Sequence, residues 1–368
     1  MIPYLEIRDK YTLKSFAPVE PQECWLELSY QDIGEFEIYC RASQANLAAL
    51  RKGNYVTIPN KRFIWVITSV QYTFTAGGAP MISARGYEAK WLLSKRCILT
   101  PKELSGTITS AIYGLVNHAL GTGANAKRTI SDNNGNNKFF VDNNELLIDI
   151  SGTQAPRSNL LEFVTPLLKL YNCGSIVELV NGVLKYRIFT GEVKSHSVKF
   201  SQSLDNLLSS SYLTDDAEKA TSALVVSSFD ETYTVGEEEY KRKVDYLKEV
   251  DKGGTGIDRA EIIVESDLST KYEDANGVEQ ETTPDSVLYQ SWQVQEGTNK
   301  LAELVTIEEV SGEIDLANSN YTFNEDYFIG DIVRVQDDYF NFYVNAKISK
   351  YTFRQDANGY GEEAEYGG

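Results

Sequence analysis

A chain of 368 residues with 42% hydrophobic content is long enough for two or three compact domains, each with its own core, which excludes a peptide or a disordered tail. With 35 Lys and Arg against 53 Asp and Glu the formal charge is −18, a field that disfavours tight binding to nucleic acid or to an anionic membrane. Four scattered cysteines, Cys24, Cys40, Cys97 and Cys173, form neither a disulfide framework nor a zinc-type pair and fit synthesis in a reduced cytoplasm.

Glu6, Arg8, Asp9 and Lys10 interrupt the N-terminus, so no secretion signal is expected there. No apolar run reaches the length of about 18 residues expected of a transmembrane helix. Tyrosine, at 23 residues against 15 Phe and 4 Trp, suits half-exposed strands and interfaces, where the ring packs and the hydroxyl stays wet.

The first hundred residues read as β. Residues 24–30 and 35–39 alternate on either side of Gln31-Asp32-Ile33-Gly34, which signals a hairpin. Tyr55 to Ile58 and a long run from Phe63 towards Phe74 follow, with Phe63, Trp65 and Ile67 on one face. Gly77-Gly78 and Pro80 break that run and Met81 to Gly86 resumes it. Beyond residue 100, Ile108, Ile112, Leu115, Val116, Ala119 and Leu120 recur at helical spacing, with Ser105 or Thr107 as N-cap and Gly121 as stop. A second helix is predicted from Leu160 to Tyr171, opened by Asn159 with Glu162 three residues on; Pro166 inside it predicts a kink or a later start. Asn181-Gly182 between two apolar runs predicts a type I′ hairpin. Together these elements make an α+β middle region.

After residue 200 the pattern loosens. Gly236 to Gly256 is charged and glycine-punctuated and is expected to be a mobile loop, and Lys271 to Glu281, with Asn276-Gly277, an exposed turn. A helix near Asn299 to Val305 leads into a final β segment from Asp331 to Phe353.

The two ends echo each other. Gly53-Asn54-Tyr55-Val56-Thr57-Ile58 and Gly330-Asp331-Ile332-Val333-Arg334-Val335 lie 277 residues apart, and the same offset pairs Phe63 with Phe340, Trp65 with Phe342, and Ile67 with Val344. Two unrelated antiparallel hairpins can look this alike. The other reading is two related β-barrel domains at the ends of one chain, with Val56, Phe63, Trp65, Ile67, Val333, Phe340, Phe342 and Val344 in their cores and Gly53, Gly330 and Asp331 at their turns. On that reading a trimer presents six similar units to a sixfold partner.

Four stretches resemble the tail-hub, or tail-associated, proteins of long-tailed bacteriophages (siphophages), which are similar in fold to the baseplate hub of contractile-tailed phages. Residues 24–40 resemble that family's opening hairpin with its Gly-Glu-Phe turn. Leu50 to Val70, Ala84-Arg85-Gly86-Tyr87 and Leu92 to Arg96 resemble its first barrel and the exit from it. Val198 to Ser201, Asp205-Asn206-Leu207 and Ser211-Tyr212 resemble the strand and turn that leave the middle domain. Tyr327 to Val335 and Ala346 to Phe353 resemble the closing barrel. The resemblance implies an α+β, β-rich fold in which two tube-like β-barrel domains, residues 1–100 and 199–368, flank an α+β middle domain of residues 101–198. The second barrel would carry a mobile insertion around 236–300. It further implies a virion structural protein made in the host cytoplasm and placed at the tail tip. There a homotrimeric ring would continue the tail tube through the distal tail ring protein, meet the tape-measure protein, and anchor a host-facing fibre or lysin. DNA would pass through its lumen during ejection without specific binding, and no membrane insertion is implied. Because the chain ends at Gly368, soon after the last barrel strand, any cell-wall-degrading activity is expected on another polypeptide.

The chemistry-bearing residues are sparse, and no cofactor is expected. His118 and His196 are the only histidines, and no Gly-x-Ser-x-Gly elbow accompanies them. Asp132-Asn133-Asn134-Gly135-Asn136-Asn137 alternates oxygen ligands, but a calcium loop of the EF-hand type needs glycine at 137 and glutamate at 143, where asparagine stands at both. Gly253-Gly254-Thr255-Gly256 lacks the lysine of a phosphate loop. The expectation is therefore a structural protein without catalytic activity. The alternatives are a tail-associated cell-wall-degrading enzyme and a β-rich carbohydrate-binding module that would use its tyrosines as stacking platforms.

Overall fold

The computed structural model of the chain describes residues 4–74, 76–315, 319–339, 342–357 and 359–367. The first hundred residues form β1 (Leu5–Arg8), β2 (Ser15–Val19), β3 (Glu23–Ser29), β4 (Glu35–Arg41), the short helix α1 (Gln44–Ala49), β5 (Tyr55–Thr57), β6 (Ile64–Thr73) and β7 (Met81–Glu88). Next come β8 (Lys102–Leu104), α2 (Ile108–Leu120), β9 (Phe139–Val141), β10 (Thr153–Ala155), α3 (Leu160–Leu170), β11 (Gly174–Val180) and β12 (Val183–Phe189). The last part forms β13 (Lys199–Ser201), β14 (Leu207–Asp215), β15 (Ser222–Val235), β16 (Glu238–Asp251), β17 (Glu261–Glu265), β18 (Lys271–Glu273) and β19 (Glu279–Glu281). It continues with α4 (Val287–Glu303), β20 (Ile307–Ile314), β21 (Ile332–Asp337), β22 (Phe342–Asp356) and β23 (Gly359–Gly367).

Local chemistry accounts for most of these elements. The Thr107 hydroxyl caps α2 by accepting from the Ser110 amide at 3.3 Å, and Ile108, Ile112, Val116 and Leu120 form its buried face. Asn159 caps α3 through the amides of Leu161 and Glu162, and the helix runs through Pro166 from its expected start. Asn181 and Gly182 both have positive φ, 51° and 77°, as a type I′ turn requires, and join β11 to β12 in full register.

The long-range pairing departs from the expected arrangement. No sheet closes into a barrel among the described residues. Instead β14-β20-β23-β22-β3-β4-β7-β6-β5-β1-β2 form one continuous path within a 13-stranded sheet, with β21 and β13 attached beside β22. The seam between the two ends of the chain is β22 on β3, from Lys350 opposite Ser29 to Gln355 opposite Cys24. The β22 strand is long enough to pair β21 with its first half and β3 with its second, so it crosses from one end's strands to the other's. One apolar core lies on this sheet and takes side chains from both ends, among them Leu26, Phe36, Trp65, Val333, Tyr351 and Phe353. A second core beneath α2 and α3 holds the middle of the chain.

The segment expected as a mobile loop is a long hairpin. In it β15 and β16 pair over their whole length, with Asp230 opposite Lys243, Glu231 opposite Arg242, and Tyr233 opposite Tyr240; the Tyr233 and Tyr240 rings stack at 5.8 Å. Opposite charges across the ladder, the packing of Leu301 of α4 with Ala223, and the close approach of Gly297 of α4 to Val225 and Val250 hold these polar strands in place. Helix α4 starts at Val287, earlier than expected, capped by Ser286 accepting from the Tyr289 amide. Residues 271–281 form a small hairpin, β18 with β19, whose Gly277 has φ 78°.

Candidate functional site

The residues singled out by the internal echo meet in the shared core. Val56, Phe63, Trp65, Ile67 and Val333 are buried in it, and Val344 packs against its margin. Phe340 lies outside the described residues. Phe342 enters β22 opposite Asp337, but its side chain lies outside what is described. Phe63 stacks on Phe328 and Phe353 at 6.0 Å each, so the aromatic centre is built from both ends at once. Trp65 is fully buried, and its indole N–H donates to the Glu27 carbonyl at 2.8 Å.

The two turns match in backbone geometry. Gly53 and Gly330 have φ of 87° and 90°, a region that glycine enters without penalty. The Gly53 amide donates to the Ile67 carbonyl and the Ile67 amide to the Asn54 carbonyl; the Gly330 amide donates to the Ile348 carbonyl and the Ile348 amide to the Asp331 carbonyl. Asn54 and Asp331 each donate to the carbonyl three residues back, Arg51 and Phe328. In hydrogen-bond terms Ile67 therefore corresponds to Ile348, four residues beyond the Val344 of the gap-free alignment. Four is an even shift, so the same face of each strand points into the core.

The side chains at the matched turns each make one near and one distant bond. Asn54 donates to the Ala49 carbonyl at 2.9 Å and accepts from the Lys10 amide at 3.3 Å. Asp331 reaches outward, accepting from the Glu192 amide at 2.7 Å and the Phe328 amide at 2.9 Å. Burial pushes its carboxyl up, against the pull of those two amides. The second turn is thereby fixed to the segment that leaves the middle of the chain.

Sequence reasoning missed the residue at which all parts meet, Tyr30. Its amide donates to the Ser349 carbonyl of β22, and its carbonyl accepts from the Ser175 amide of β11. Its hydroxyl donates to the Asn172 carbonyl at 2.9 Å and accepts from the Gly191 amide at 3.3 Å. Glycine surrounds the ring by necessity: a Cβ at Gly174 would stand 2.1 Å, and one at Gly330 2.3 Å, from Tyr30 ring carbons, while one at Gly191 would stand 1.7 Å from the Gly330 carbonyl oxygen. Beside it, buried Lys90 pairs with buried Glu88 at 2.6 Å and donates to the carbonyls of Ser29 and Ser175, so one ammonium clamps β3 to β11. Burial pulls that ammonium well below its usual range, with Asp32 and Glu27 pulling back. No short motif marks these residues, since their partners come from four distant segments.

The other candidates are scattered. His118 is exposed on α2 with Nδ1 3.1 Å from the Gly123 carbonyl. Asp132 folds its own loop by accepting from the Asn134 and Asn136 amides, an ordinary turn. Among the described residues no group of three or more His, Cys, Asp or Glu could hold a metal ion, and no helix is long and apolar enough to cross a membrane. What the geometry offers is a junction that ties both ends of the chain to its middle.

The fold is similar to that of the tail protein from Neisseria meningitidis MC58, with a TM-score of 0.54 at 12% identity over 99% of this chain and 96% of that one. It is also similar to the 43 kDa tail protein of prophage MuSo2 from Shewanella oneidensis, with a TM-score of 0.53 at 13% identity over 99% and 98%. At these identities the likeness is one of fold. No curated protein matches the sequence. The family described as Siphovirus ReqiPepy6 Gp37-like protein matches residues 21–367, nearly the whole length, and the chain belongs to that family of long-tailed-phage proteins.

Proposed function

We propose that the chain is a structural tail-hub protein of a phage or prophage, without catalytic activity of its own, which assembles as a homotrimeric ring at the tail tip. The observation that carries this reading is the pair of matched turns feeding one sheet: each protomer offers two tube-like units, one from each end, and three protomers offer six. Family membership and the likeness in fold to two tail proteins support it. On this reading residues 1–100 and 199–368 supply the tube-like units, and 101–198 form the middle domain that the Tyr30 junction holds against both. The ring continues the tail tube through the distal tail ring protein, faces the tape-measure protein, and anchors a fibre or lysin on its host side. The charge of −18 suits a lumen through which DNA slides, because each basic contact would add salt-dependent grip. Cryo-electron microscopy of the assembled tail tip tests the proposal. A threefold ring of this chain around an open or plugged channel is the expected result, and a single copy per tip or a strongly basic lumen would overturn it.

A further inference from the structure

Helices α3 and α4 pack against each other but leave a cleft of about 230 Å³ between them. That is below the roughly 300–1,000 Å³ of small-molecule sites, which suits one long side chain better than a cofactor. Phe163 and Pro166 of α3, Leu268, and Trp292 of α4 supply apolar wall. Charge on the wall is one-sided: Glu162, Asp267, Glu296 and Glu303 face one lysine, Lys300, whose ammonium is already paired with Glu303 at 2.6 Å.

Two further observations indicate that the cleft lacks an occupant with particular chemistry. Thr153 and Trp292 line it and are 2% and 1% exposed, yet Thr153 Oγ1 and Trp292 Nε1 have no hydrogen-bond partner. An indole N–H only donates, so Trp292 calls for an acceptor such as a peptide carbonyl. Glu296, largely buried, accepts one hydrogen bond from the Ser266 hydroxyl at 2.6 Å and has no ion pair among the described residues. Burial pushes its carboxyl up to about 7, as expected of a carboxylate without a counter-charge.

A cation on an aliphatic stem, next to a carbonyl, answers each of these features. The stem lies along the apolar wall, the head meets the carboxylates, and the carbonyl accepts from the indole. We propose that the cleft between α3 and α4 is a receptor for a lysine or arginine side chain carried on an extended segment of another protein. A second copy of this chain is the competing occupant, and the test below separates it from another protein.

The probes are acetyl-Gly-Lys-Gly-amide, its arginine counterpart, and the neutral norleucine tripeptide, titrated into the full chain. Calorimetry gives affinity and stoichiometry, and the indole ¹H–¹⁵N resonances locate the site. Lysine or arginine peptide should bind once per chain and move the Trp292 resonance, with norleucine and the Glu296→Gln variant each about tenfold weaker. Glu162→Gln, on the opposite wall, should weaken binding in the same direction, which covers the case of a poorly folded Glu296 variant. Equal binding of lysine and norleucine peptides, or binding that leaves the Trp292 resonance in place, would overturn the proposal. So would self-association of the chain that Glu296→Gln abolishes, since it would make a second copy the occupant. The peptide titrations do not bear on the trimeric ring, which is tested separately by imaging the tail tip.

Discussion

Replacing Tyr30 with phenylalanine keeps the ring among its glycines and removes one oxygen. Tyr30 is 2% exposed, so water does not take the hydroxyl's place. The loss leaves the Asn172 carbonyl and the Gly191 amide without the partner described above. Leaving a buried donor or acceptor unsatisfied costs about 1–3 kcal/mol, so two give about 2–4 kcal/mol after some relaxation. Global unfolding by denaturant gives one reading, but a chain with several cores need not unfold in one step. Hydrogen exchange at the Gly191 amide reads the junction locally, and it should speed by a factor of about 30 or more for a loss of 2 kcal/mol. The Tyr30→Ala variant adds a cavity worth about 3–5 kcal/mol and should separate the middle of the chain from the sheet. An unchanged Gly191 exchange rate together with a stability change under about 0.5 kcal/mol would refute the view that this hydroxyl ties the segments together.

Trp65→Ala should cost about 3–5 kcal/mol in denaturant unfolding, and Trp65→Phe about 1–2 kcal/mol by orphaning the Glu27 carbonyl; a Trp65→Phe loss under about 0.5 kcal/mol would mean that the indole N–H contributes nothing. Gly191→Ala has no room for its methyl against Gly330 and should yield insoluble chain on expression, where soluble, folded material would count against the close approach. Lys90→Met alone strands the Glu88 carboxylate and should cost about 3–5 kcal/mol, whereas Lys90→Met with Glu88→Leu should recover only part of that loss in the same assay, because the Ser29 and Ser175 carbonyls stay without their donor. The raised carboxyl of Glu296, about 7 against an ordinary 4.5, keeps its proton in the folded state after the unfolded chain has lost it. Stability should therefore fall as pH rises from about 4.5 to 7, by about 3 kcal/mol, and flatten above. Glu296→Gln should lose that component of the pH dependence in paired unfolding curves.

Local structure was legible where a period of two or 3.6 is bounded by turn chemistry, as in the 24–39 hairpin, the two capped helices and Asn181-Gly182. Strand β16 was hidden because its outer positions are almost all charged, leaving only Val244, Tyr246 and Val250 to alternate beneath α4. Strand β23 was hidden in a Gly- and Glu-rich tail where Ala364 and Tyr366 are buried and Tyr360 packs at the core's margin. The echo was visible in its turns, but the four-residue shift after them was not, since any even shift preserves the pattern. Pairing of β3 with β22 leaves no local trace at all, and this pairing is what merges the ends into one sheet. The junction was illegible for the same reason: Tyr30 is one tyrosine among 23, and what distinguishes it is the set of glycines brought to it from elsewhere.

The seam of β22 on β3 also sets the order of events on the ribosome. Strand β3 has emerged long before Lys350 is made, and at about 5–20 residues per second the wait is on the order of tens of seconds. Throughout that interval Leu26, Phe36 and Trp65 lack Tyr351 and Phe353, which share their core in the finished fold, and β3 presents an unpaired edge towards β22. The nascent chain is thus sticky along one strand until nearly its last residues appear. A premature stop anywhere before β22 leaves that strand permanently open, and a host cell would dispose of such fragments by aggregation or proteolysis before they could enter an assembling particle.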